Sequence, residues 1–446
     1  MDQRMAVRAA LLAALLYSLS SCGGGSGGSG SGDSSRIKHV VIIMQENRTP
    51  DNLLHGLPNA DISSSGVDSH GQTIPLTSVS LVEPYDLSHA HAAFLAMYDG
   101  GRMDGADKIP VSGCPKTNPA CAPPHPQFQY VNPAEVAPYF TLAQQYVFGD
   151  RMFQTNQGPS YPAHQYIIAG TSEDHDGTNL SVAENPSGGP ANDQSGCPEA
   201  QLGAVVRMIN RISGDESTTE PTCFEHNTLL DLLDQAGISW KYYAPSAGSI
   251  WTGPNSIGHL RNGPDWTKVI IPETQVLGDI PNLALAQVSW VIPSGQASDH
   301  PKSTDGSGPS WVASIVNAIG ASPYWQDTAI FIVWDDWGGW YDHVAPSSIA
   351  NAYEYGFRVP LIVVSPYAKA GYVSHVDHDF GSILHFIEQS RGLPSLGYAD
   401  ARADDLSDCF DFSQAPRPYQ AVPAKYDAAY FIARRAVEPA LDPDDD

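Results

Sequence analysis

The sequence is poor in basic residues, and this scarcity excludes one class of partners. It contains 23 Lys and Arg against 49 Asp and Glu, which gives a formal net charge of −26. Phosphate backbones and anionic lipids repel such a chain, so we expect neither nucleic-acid binding nor electrostatic adhesion to a membrane. The net charge does not report the field inside an active site, because a bound metal ion would invert it locally.

Cysteine is also scarce, and its spacing excludes the usual zinc-binding patterns. Five cysteines follow Cys22, and none has the paired spacing of a structural zinc site. In an exported chain, four of them form plausible local disulfides, Cys114 with Cys121 and Cys197 with Cys223. Cys409 is then left over unless it pairs with one of the four, and the sequence alone does not decide this.

The N-terminus lacks an apolar run long enough to cross a membrane. Arg4 and Arg8 precede a short apolar stretch, residues 9–16, which is typical of a secretory signal peptide. Residues 19–22 (Leu-Ser-Ser-Cys) resemble a bacterial lipoprotein cleavage box with Cys22 as the lipidated residue; the alternative is an ordinary signal peptide with an incidental cysteine. We expect an exported protein, a periplasmic or cell-surface lipoprotein or otherwise a secreted one. If Cys22 is modified, its lipid would provide the contact with the membrane.

Composition divides the chain into four segments. Residues 1–22 are a predicted lipoprotein-type signal peptide, and residues 23–35 are nearly all Gly and Ser, which indicates a flexible linker. Residues 36–435 are predicted to form one large catalytic domain, because motifs spread along them would each supply part of one site. Residues 436–446 are an acidic tail.

A short apolar run near the start of this domain ends abruptly in polar residues. Val40 to Met44 is predicted to be a strand buried on both faces, because it is β-branched and lacks polar alternation. Glu46 and Asn47 follow, and functional groups collect at the carboxyl ends of strands in a parallel sheet. A carboxylate and an amide are hard oxygen ligands suited to a metal ion; the alternative is a polar strand end that caps a turn.

A second strand of the same design points to the same chemistry. Residues 329–334 are another buried apolar run, and they lead into Asp335 and Asp336. Two adjacent carboxylates remain ionised together only near a cation or strong hydrogen-bond donors. Gly338 and Gly339 allow a tight turn or a close approach to a ligand. The alternative, a surface acidic turn, fits poorly with the aromatic residues that surround the acids.

Strand-length and helix-length patterns alternate along the rest of the domain. They predict an α/β fold with a largely parallel central sheet flanked by helices, including a helix over 132–145 and a strand over 146–153. Residues 60–130 and 172–225 are rich in Gly, Pro, Ser and Asn and are predicted to be long loop insertions at the rim of the site. Ser160 is predicted at a strand-to-helix turn, near a helix N-terminus that favours phosphate.

Four segments together resemble the phosphoesterase family, which includes bacterial and plant phospholipases C and Francisella-type acid phosphatases. They occur in the family's order: 46–51 (Glu-Asn-Arg-Thr-Pro-Asp), 158–162 (Gly-Pro-Ser-Tyr-Pro), 335–344 (Asp-Asp to His-Val), and 358–360 (Arg-Val-Pro) with 365–366 (Ser-Pro). The resemblance covers roughly residues 36 to 395. It implies an alkaline-phosphatase-like α/β fold and the hydrolysis of phosphoric esters.

The resemblance also implies a serine nucleophile and one divalent metal ion. Ser160 occupies the family's nucleophile position and would attack phosphorus, forming a phosphoseryl intermediate that water hydrolyses. The implied metal ligands are Glu46, Asn47, Asp335 and Asp336, and the ion would also touch Ser160. Without the resemblance, Ser160 would be interpreted as a helix N-cap.

Three histidines match positions of the family that bind phosphoryl oxygens and protonate the leaving group. They are His89, His300 and His378. Taken alone, each would be interpreted as an ordinary solvated loop histidine. Asp342 and His343 are expected to brace the Asp335-Asp336 turn from outside the first layer of ligands.

The chain departs from the family pattern at two motifs. Thr49-Pro50 replaces the usual Ser-Phe, and Pro162-Ala163-His164 replaces the Pro-Asn-Arg of the phospholipases. His164 would substitute in part for the missing Arg. The serine nucleophile and the Asp-Asp pair are closer to the acid phosphatase branch, so phospholipid specificity does not follow.

The expected substrate is a small phosphoester or a phospholipid headgroup, and no protein partner is indicated. A sulfatase or phosphonate hydrolase of the same superfamily is one alternative, but His164 stands where sulfatases carry the Arg of their Cys/Ser-x-Pro-x-Arg motif. A lipid-anchored protein that binds phosphate or glycan without turnover is the other alternative.

Overall fold

A computed structural model describes residues 34–435, apart from residues 115, 116, 119, 190–193 and 348. The predicted signal peptide, the predicted linker up to residue 33 and the predicted acidic tail lie outside these residues and stay predictions. Within the described part of the chain, no helix combines the length and apolar character needed to cross a membrane.

The described residues form short and long strands. In chain order they are β1 (His39–Gln45), β2 (Ser65–Val67), β3 (Thr73–Pro75), β4 (Thr77–Val79), β5 (Asp86–Leu87), β6 (Val111–Ser112), β7 (Gln129–Val131), β8 (Val147–Gly149), β9 (Leu180–Val182), β10 (Val205–Asn210), β11 (Thr218–Pro221), β12 (Trp240–Tyr243), β13 (Val269–Ile270), β14 (Val288–Val291), β15 (Thr328–Trp334), β16 (Leu361–Val364) and β17 (Tyr372–Ser374).

Eight of these strands form the central sheet, in the order β13-β12-β14-β1-β15-β16-β8-β17. Neighbours run parallel except at β16, which is antiparallel to both β15 and β8. The predicted largely parallel sheet is therefore confirmed. β15 is buried along its whole length, and β1 is buried beyond His39. Burial on both faces is why these two strands are continuous apolar runs without polar alternation.

Helices flank the sheet and complete a mixed α/β architecture. In chain order they are α1 (Pro50–Leu53), α2 (His91–Tyr98), α3 (Ala137–Gln145), α4 (Ser160–Ala169), α5 (Cys197–Ala200), α6 (Leu229–Gln235), α7 (Gly258–Asn262), α8 (Gln275–Asp279), α9 (Gly308–Gly320), α10 (Phe380–Arg391) and α11 (Ala428–Arg435).

Two elements are shorter than the sequence predicts. The helix expected over 132–145 begins at Ala137, with Pro138 in its first turn. An earlier start would place that proline inside the helix, where its ring and missing N–H are unfavourable. The strand expected over 146–153 is regular only in β8, because Met152 then pairs with His378 rather than with a neighbour of β8.

The two segments predicted as loop insertions carry secondary structure of their own, so that prediction is wrong in part. Residues 60–130 contain helix α2 and several short strands, and residues 172–225 contain α5 and all three strands of a separate sheet, β9, β10 and β11. Apolar residues of the first insertion form a hydrophobic cluster of their own with Trp337 and Trp340. The first insertion therefore packs onto the segment that follows β15.

The cysteines pair in one of the arrangements suggested by the sequence. Two local disulfides form, Cys114–Cys121 and Cys197–Cys223. Cys409 is a free, buried thiol.

Candidate active site

The two predicted acidic segments meet because β1 and β15 are neighbours in register. Gln45, the last residue of β1, lies opposite Trp334, the last residue of β15. The polar residues that follow each strand therefore leave the same edge of the sheet. The Asn47 backbone N–H donates a 2.9 Å hydrogen bond to Asp335 Oδ1, which joins the two segments.

The backbone around Asn47 is shaped to bring these segments together. Asn47 has a φ of 61°, in the left-handed region that asparagine tolerates better than most residues. Gly338 packs directly on it: a Cβ at Gly338 would lie 2.4 Å from the Asn47 carbonyl oxygen. Only glycine fits there, so Gly338 has a packing reason as well as a conformational one.

Asp336 lies at the centre of the site. Its Oδ1 accepts hydrogen bonds from the Gly338 N–H at 2.7 Å and from Asn47 Nδ2 at 3.2 Å. Its Oδ2 accepts the Ser160 hydroxyl at 3.1 Å. The side chains of Asp336, Asn47 and Ser160 are all fully buried. One carboxylate thus fixes both the amide of Asn47 and the predicted nucleophile.

Ser160 is the first residue of α4, and the N-cap position belongs to Pro159. The Ser160 side chain faces carboxylates instead of capping the helix, since its Oγ also lies 3.5 Å from Glu46 Oε2. All ten residues of α4 are buried, which fixes the position of its first turn. The alternative interpretation of Ser160 as an N-cap does not describe this geometry.

Two oxygens of the site have no hydrogen-bond partner among the described residues. They are Asn47 Oδ1 and Asp335 Oδ2, and both are buried. A buried acceptor without a donor is costly, so such a pair indicates a ligand position. Asp335 also lies with Glu46 and His164 in a group whose ligand atoms are all within 4.8 Å of one another. Oxygen donors of this kind fit a hard divalent cation.

Two of the three predicted histidines lie beside this group. His89 Nδ1 donates to the Leu87 carbonyl at 2.9 Å, and its Nε2 lies 3.0 Å from Asn47 Nδ2. His300 Nδ1 donates to the Pro301 carbonyl at 2.7 Å. The two rings are 6.1 Å apart between centroids. In each histidine a backbone carbonyl holds the proton on Nδ1, so Nε2 is the atom that would exchange protons.

The structure does not bring His378 into this group. Its Nδ1 donates to Asp404 Oδ1 at 2.6 Å, and its Nε2 lies 3.1 Å from Ser374 Oγ. Within the described part of the chain, its side-chain contacts involve neither Ser160 nor Asp336.

His164, which replaces the family's arginine, contacts Glu46. Its Nε2 lies 3.3 Å from Glu46 Oε1, and its ring stacks on Trp251 at 6.3 Å. Trp251 also lies 6.2 Å from His300, and its buried indole N–H has no partner among the described residues. Sequence reasoning missed Trp251, because a single tryptophan outside any motif gives no signal of a site.

A buried arginine, Arg48, links the turn after β1 to the loop that carries His300. Arg48 donates to both carboxylate oxygens of Glu83 at 3.2 Å, and to the Asp299 carbonyl at 2.7 Å. The Asp299 side chain accepts from Tyr139 at 2.8 Å. Burial raises the pKa of Asp299 to about 6, although the charge of Arg48 opposes that rise. Arg48 therefore connects the turn after β1 to the loop that carries His300.

Asp342 and His343 belong to a separate ion-pair network, which we call the Arg358 network (Asp51, Asp61, Asp342, His343 and Arg358). Arg358 Nε donates to Asp342 at 2.9 Å, and His343 donates to Asp51 at 2.8 Å and to Asp61 at 3.0 Å. Among the described residues, neither Asp342 nor His343 contacts the Asp335-Asp336 pair directly. Burial opposes protonation of His343, but the hydrogen bond and charge of Asp51 outweigh it and raise its pKa to about 9.

The fold and the site together define a class: a mixed α/β protein with a buried set of oxygen ligands and a serine at the carboxyl edge of its sheet. The chain belongs to the Phosphoesterase family, whose family model matches residues 37–394.

Curated relatives are phospholipases C. The chain is 25% identical to the non-hemolytic phospholipase C of Pseudomonas aeruginosa, over 92% of this chain and 63% of that protein. It is 23% identical to phospholipase C B of Mycobacterium tuberculosis, over 87% of this chain and 80% of that protein. The chain thus spans less than two thirds of the Pseudomonas relative's length.

Solved structures resemble the chain only loosely. Murine ectonucleotide pyrophosphatase/phosphodiesterase 5 aligns with a TM-score of 0.39 and 9% identity, over 75% of this chain and 100% of that one. A Vibrio parahaemolyticus protein in the alkaline phosphatase superfamily aligns with a TM-score of 0.36 and 11% identity, over 82% of this chain and 70% of that one.

Proposed function

We propose that the protein hydrolyses phosphoric esters, with Ser160 as the nucleophile. The observation that carries this proposal is the position of Ser160 Oγ, 3.1 Å from Asp336 Oδ2 and 3.5 Å from Glu46 Oε2. A serine hydroxyl is a weak nucleophile and needs an adjacent base or a metal ion. Membership of the Phosphoesterase family supports the reaction class.

The reaction has two displacements at phosphorus. Ser160 Oγ attacks phosphorus, its proton passes to Asp336 Oδ2, and the bond to the leaving oxygen breaks. His300 or His89, protonated on both ring nitrogens, gives its Nε2 proton to the leaving oxygen. Water then attacks the phosphoserine and gives a proton to the same histidine. The bond from phosphorus to Ser160 Oγ breaks, and Asp336 Oδ2 returns to Ser160 Oγ the proton that it accepted in the first displacement. His378 is left out of this scheme because its ring binds Asp404 and Ser374.

The residues that would hold a divalent cation are Glu46, Asn47, Asp335 and Asp336. Their fit to such an ion is supported by the two buried oxygens without partners, on Asn47 and Asp335. When bound, the ion would neutralise charge on the phosphoryl oxygens and lower the pKa of the Ser160 hydroxyl.

The substrate is proposed to be a phosphomonoester or a phospholipid headgroup. Curated relatives named phospholipase C favour the headgroup, whereas the serine nucleophile and the Asp-Asp pair resemble the acid phosphatases. The full-length protein should be assayed with p-nitrophenyl phosphate and p-nitrophenyl phosphorylcholine side by side. Preference for the first ester would indicate a phosphatase, and preference for the second would indicate a phospholipase C-type diesterase.

The control for this assay is a matched pair of serine variants. Ser160→Ala should lower turnover by about 10⁴-fold or more, as removal of a nucleophile does in other hydrolases. Ser289→Ala removes another fully buried hydroxyl, in β14, and should leave turnover unchanged. Turnover that survives in Ser160→Ala over a range of pH and metals would overturn the nucleophile assignment. Absence of turnover of either ester by the wild type under the same conditions would favour the binding-protein alternative.

We also propose that the protein is exported and carries a lipid on Cys22. The support is the charged and apolar N-terminal pattern, followed by Leu19-Ser20-Ser21-Cys22. Metabolic labelling with radioactive palmitate in a bacterial host should label the wild type and not Cys22→Ala. Equal labelling of the two proteins would reject the lipidation site.

A further inference from the structure

A second group of metal-type ligands lies at the outer strand of the sheet. His378, Asp408 and Cys409 each offer one ligand atom, and all three atoms lie within 4.8 Å of one another. His378 Nε2 is 3.7 Å from Asp408 Oδ1, and Cys409 Sγ is 3.5 Å from the same oxygen. His378 and Cys409 are buried, while the Asp408 side chain is 22% exposed. The exposed edge of Asp408 gives an ion a route from solvent.

The histidine of this group is oriented as metal-binding histidines are. Asp404 Oδ1 accepts the Nδ1–H of His378 at 2.6 Å, which fixes the tautomer and leaves the lone pair on Nε2, the ring nitrogen that lies 3.7 Å from Asp408 Oδ1. A carboxylate behind a ligating histidine is the usual second layer of a zinc site. The Ser374 hydroxyl, 2.5 Å from Asp408 Oδ2 and 3.1 Å from His378 Nε2, completes the group.

The spacing of the three atoms fits a tetrahedral ion. Zinc bonds of about 2.0 Å to oxygen or nitrogen and about 2.3 Å to sulfur place ligand atoms about 3.3 to 3.6 Å apart at tetrahedral angles. Cys409 Sγ and His378 Nε2 lie 3.5 and 3.7 Å from Asp408 Oδ1, within a few tenths of an ångström of these values, and all three atoms lie within 4.8 Å of one another. We propose that His378, Asp408 and Cys409 bind a zinc-type divalent ion, with Ser374 or water in the fourth position.

The donor set distinguishes this site from the one around Asp336. A thiolate and an imidazole select borderline-soft ions such as Zn²⁺, whereas carboxylate and amide oxygens suit harder ions. The site is also displaced along the sheet. β17, which ends at Ser374, is three strands from β15, and at about 4.8 Å per strand this is on the order of 14 Å.

The proposed ion would fasten three parts of the chain to one another. Ser374 ends β17, His378 precedes α10, and Asp408 and Cys409 form a short 3-10 turn. The His378 backbone bonds the segment that leads toward the nucleophile, through His378 N–H to Arg151 O at 2.9 Å and Phe153 N–H to His378 O at 2.8 Å. The ion would therefore stabilise the packing of that segment by holding these three parts of the chain together.

The first test counts metal in the full-length protein after incubation with zinc and desalting. Cys409→Ser and His378→Gln should each lower the zinc content by about one ion per chain relative to the wild type. Ser289→Ala is the control, because it removes a buried hydroxyl of β14 that belongs to neither proposed metal site and should leave the zinc content unchanged. Unchanged zinc content in both Cys409→Ser and His378→Gln would overturn the proposal.

The deciding result of the second test comes from the wild type, so it does not depend on how well a variant folds. Wild-type protein titrated with Co²⁺ should develop a thiolate-to-cobalt charge-transfer absorption, which Asp335→Asn retains and Cys409→Ser lacks. Asp404→Asn keeps all three ligands and should weaken zinc affinity by about 10- to 100-fold. Absence of the thiolate band in the wild type at saturating Co²⁺ would also overturn the proposal, whatever the outcome of the hydrolysis assays.

Discussion

Two groups of buried acids come from the segments that follow β1 and β15, and their charges are balanced in different ways. In the Arg358 network, Asp342 receives the Arg358 guanidinium at 2.9 Å and Asp51 receives His343 at 2.8 Å. Around Ser160, Asp335 Oδ2 and Asn47 Oδ1 are buried acceptors without a donor in the described residues. In the Arg358 network, cationic side chains of the protein itself pair with Asp342 and Asp51. In the group around Ser160, two oxygens have no donor among the described residues and could bind a ligand. The difference separates acids that stabilise the fold from acids that are arranged for a ligand.

Among changes to these two groups of acids, Asp336→Asn should have the largest effect, and it should lower turnover without lowering the stability of the fold. The change removes the carboxylate that accepts the Ser160 proton, so turnover should fall by about 10²- to 10⁴-fold. The free energy of unfolding in urea should stay equal or rise, because a buried charge has been removed. Loss of stability together with loss of turnover would mean that the two groups of acids do not differ as described.

Arg358→Met should have the opposite pattern. It leaves Asp342 buried without its cation and Asp51 with His343 alone. Breaking a buried pair in this way costs about 3–5 kcal/mol. Turnover per folded molecule should change little, since Arg358 contacts none of the proposed catalytic residues. The free energy of unfolding is measured by urea denaturation, and turnover is measured at a temperature where both proteins are folded. A loss of stability below about 1 kcal/mol would contradict the prediction.

Addition of Mg²⁺ or Mn²⁺ should stabilise the folded protein through the acids around Ser160 and not through the Arg358 network. At 100 times its Kd, an ion that binds the folded state raises the free energy of unfolding by about 2.7 kcal/mol. The stabilisation should be absent in Asp335→Asn and present in Arg358→Lys, which retains a cation in the network. Thermal melts at increasing Mg²⁺ or Mn²⁺ measure it; both ions suit oxygen ligands better than the thiolate-containing site at Cys409. Equal stabilisation of both variants would place the ion elsewhere.

The smallest expected effect is a pH dependence from the Arg358 network. The pKa of His343 is raised to about 9 in the folded protein, above its unfolded value of about 6.5. The protonated ring therefore stabilises the fold fully below pH 6.5, and this contribution is lost as the pH rises through 9. About 1 kcal/mol is expected, because solvent screens a side chain that is 26% exposed.

The control for that measurement is His343→Gln, which should lack this part of the slope. The pKa of His259 is also raised to about 9, by its hydrogen bond to Asp231. The informative quantity is therefore the difference in free energy of unfolding between the wild type and His343→Gln at pH 6.5, 8 and 10. Parallel stability curves would assign the slope to His259.

Local sequence patterns predicted the parts of the site that depend on neighbouring residues in the chain. The apolar runs of β1 and β15 predicted both strands, and polar residues at their ends predicted where Glu46 and Asp335 would meet. Such a prediction succeeds because parallel strands deliver their carboxyl ends to one edge of the sheet.

The remainder depends on contacts between distant segments. The position of His378 is set by Asp404 and Ser374, and no pattern near His378 shows that these residues lie beside it. The link from Arg48 to Asp299 spans 251 residues. The secondary structure in residues 60–130 was hidden because Gly, Pro and Ser are read as loop signals even where tertiary packing imposes short strands.

The hydrogen bond between Asn47 and Asp335 joins residues 288 positions apart. During synthesis the first acidic segment emerges hundreds of residues before its partner, and contacts of such sequence separation form only when most of the chain is available. An incomplete chain therefore contains Glu46, Asn47 and even Ser160 without an assembled site. Under the proposed function, hydrolysis therefore depends on synthesis of the chain through β15, and truncation anywhere before β15 would abolish the candidate site rather than weaken it.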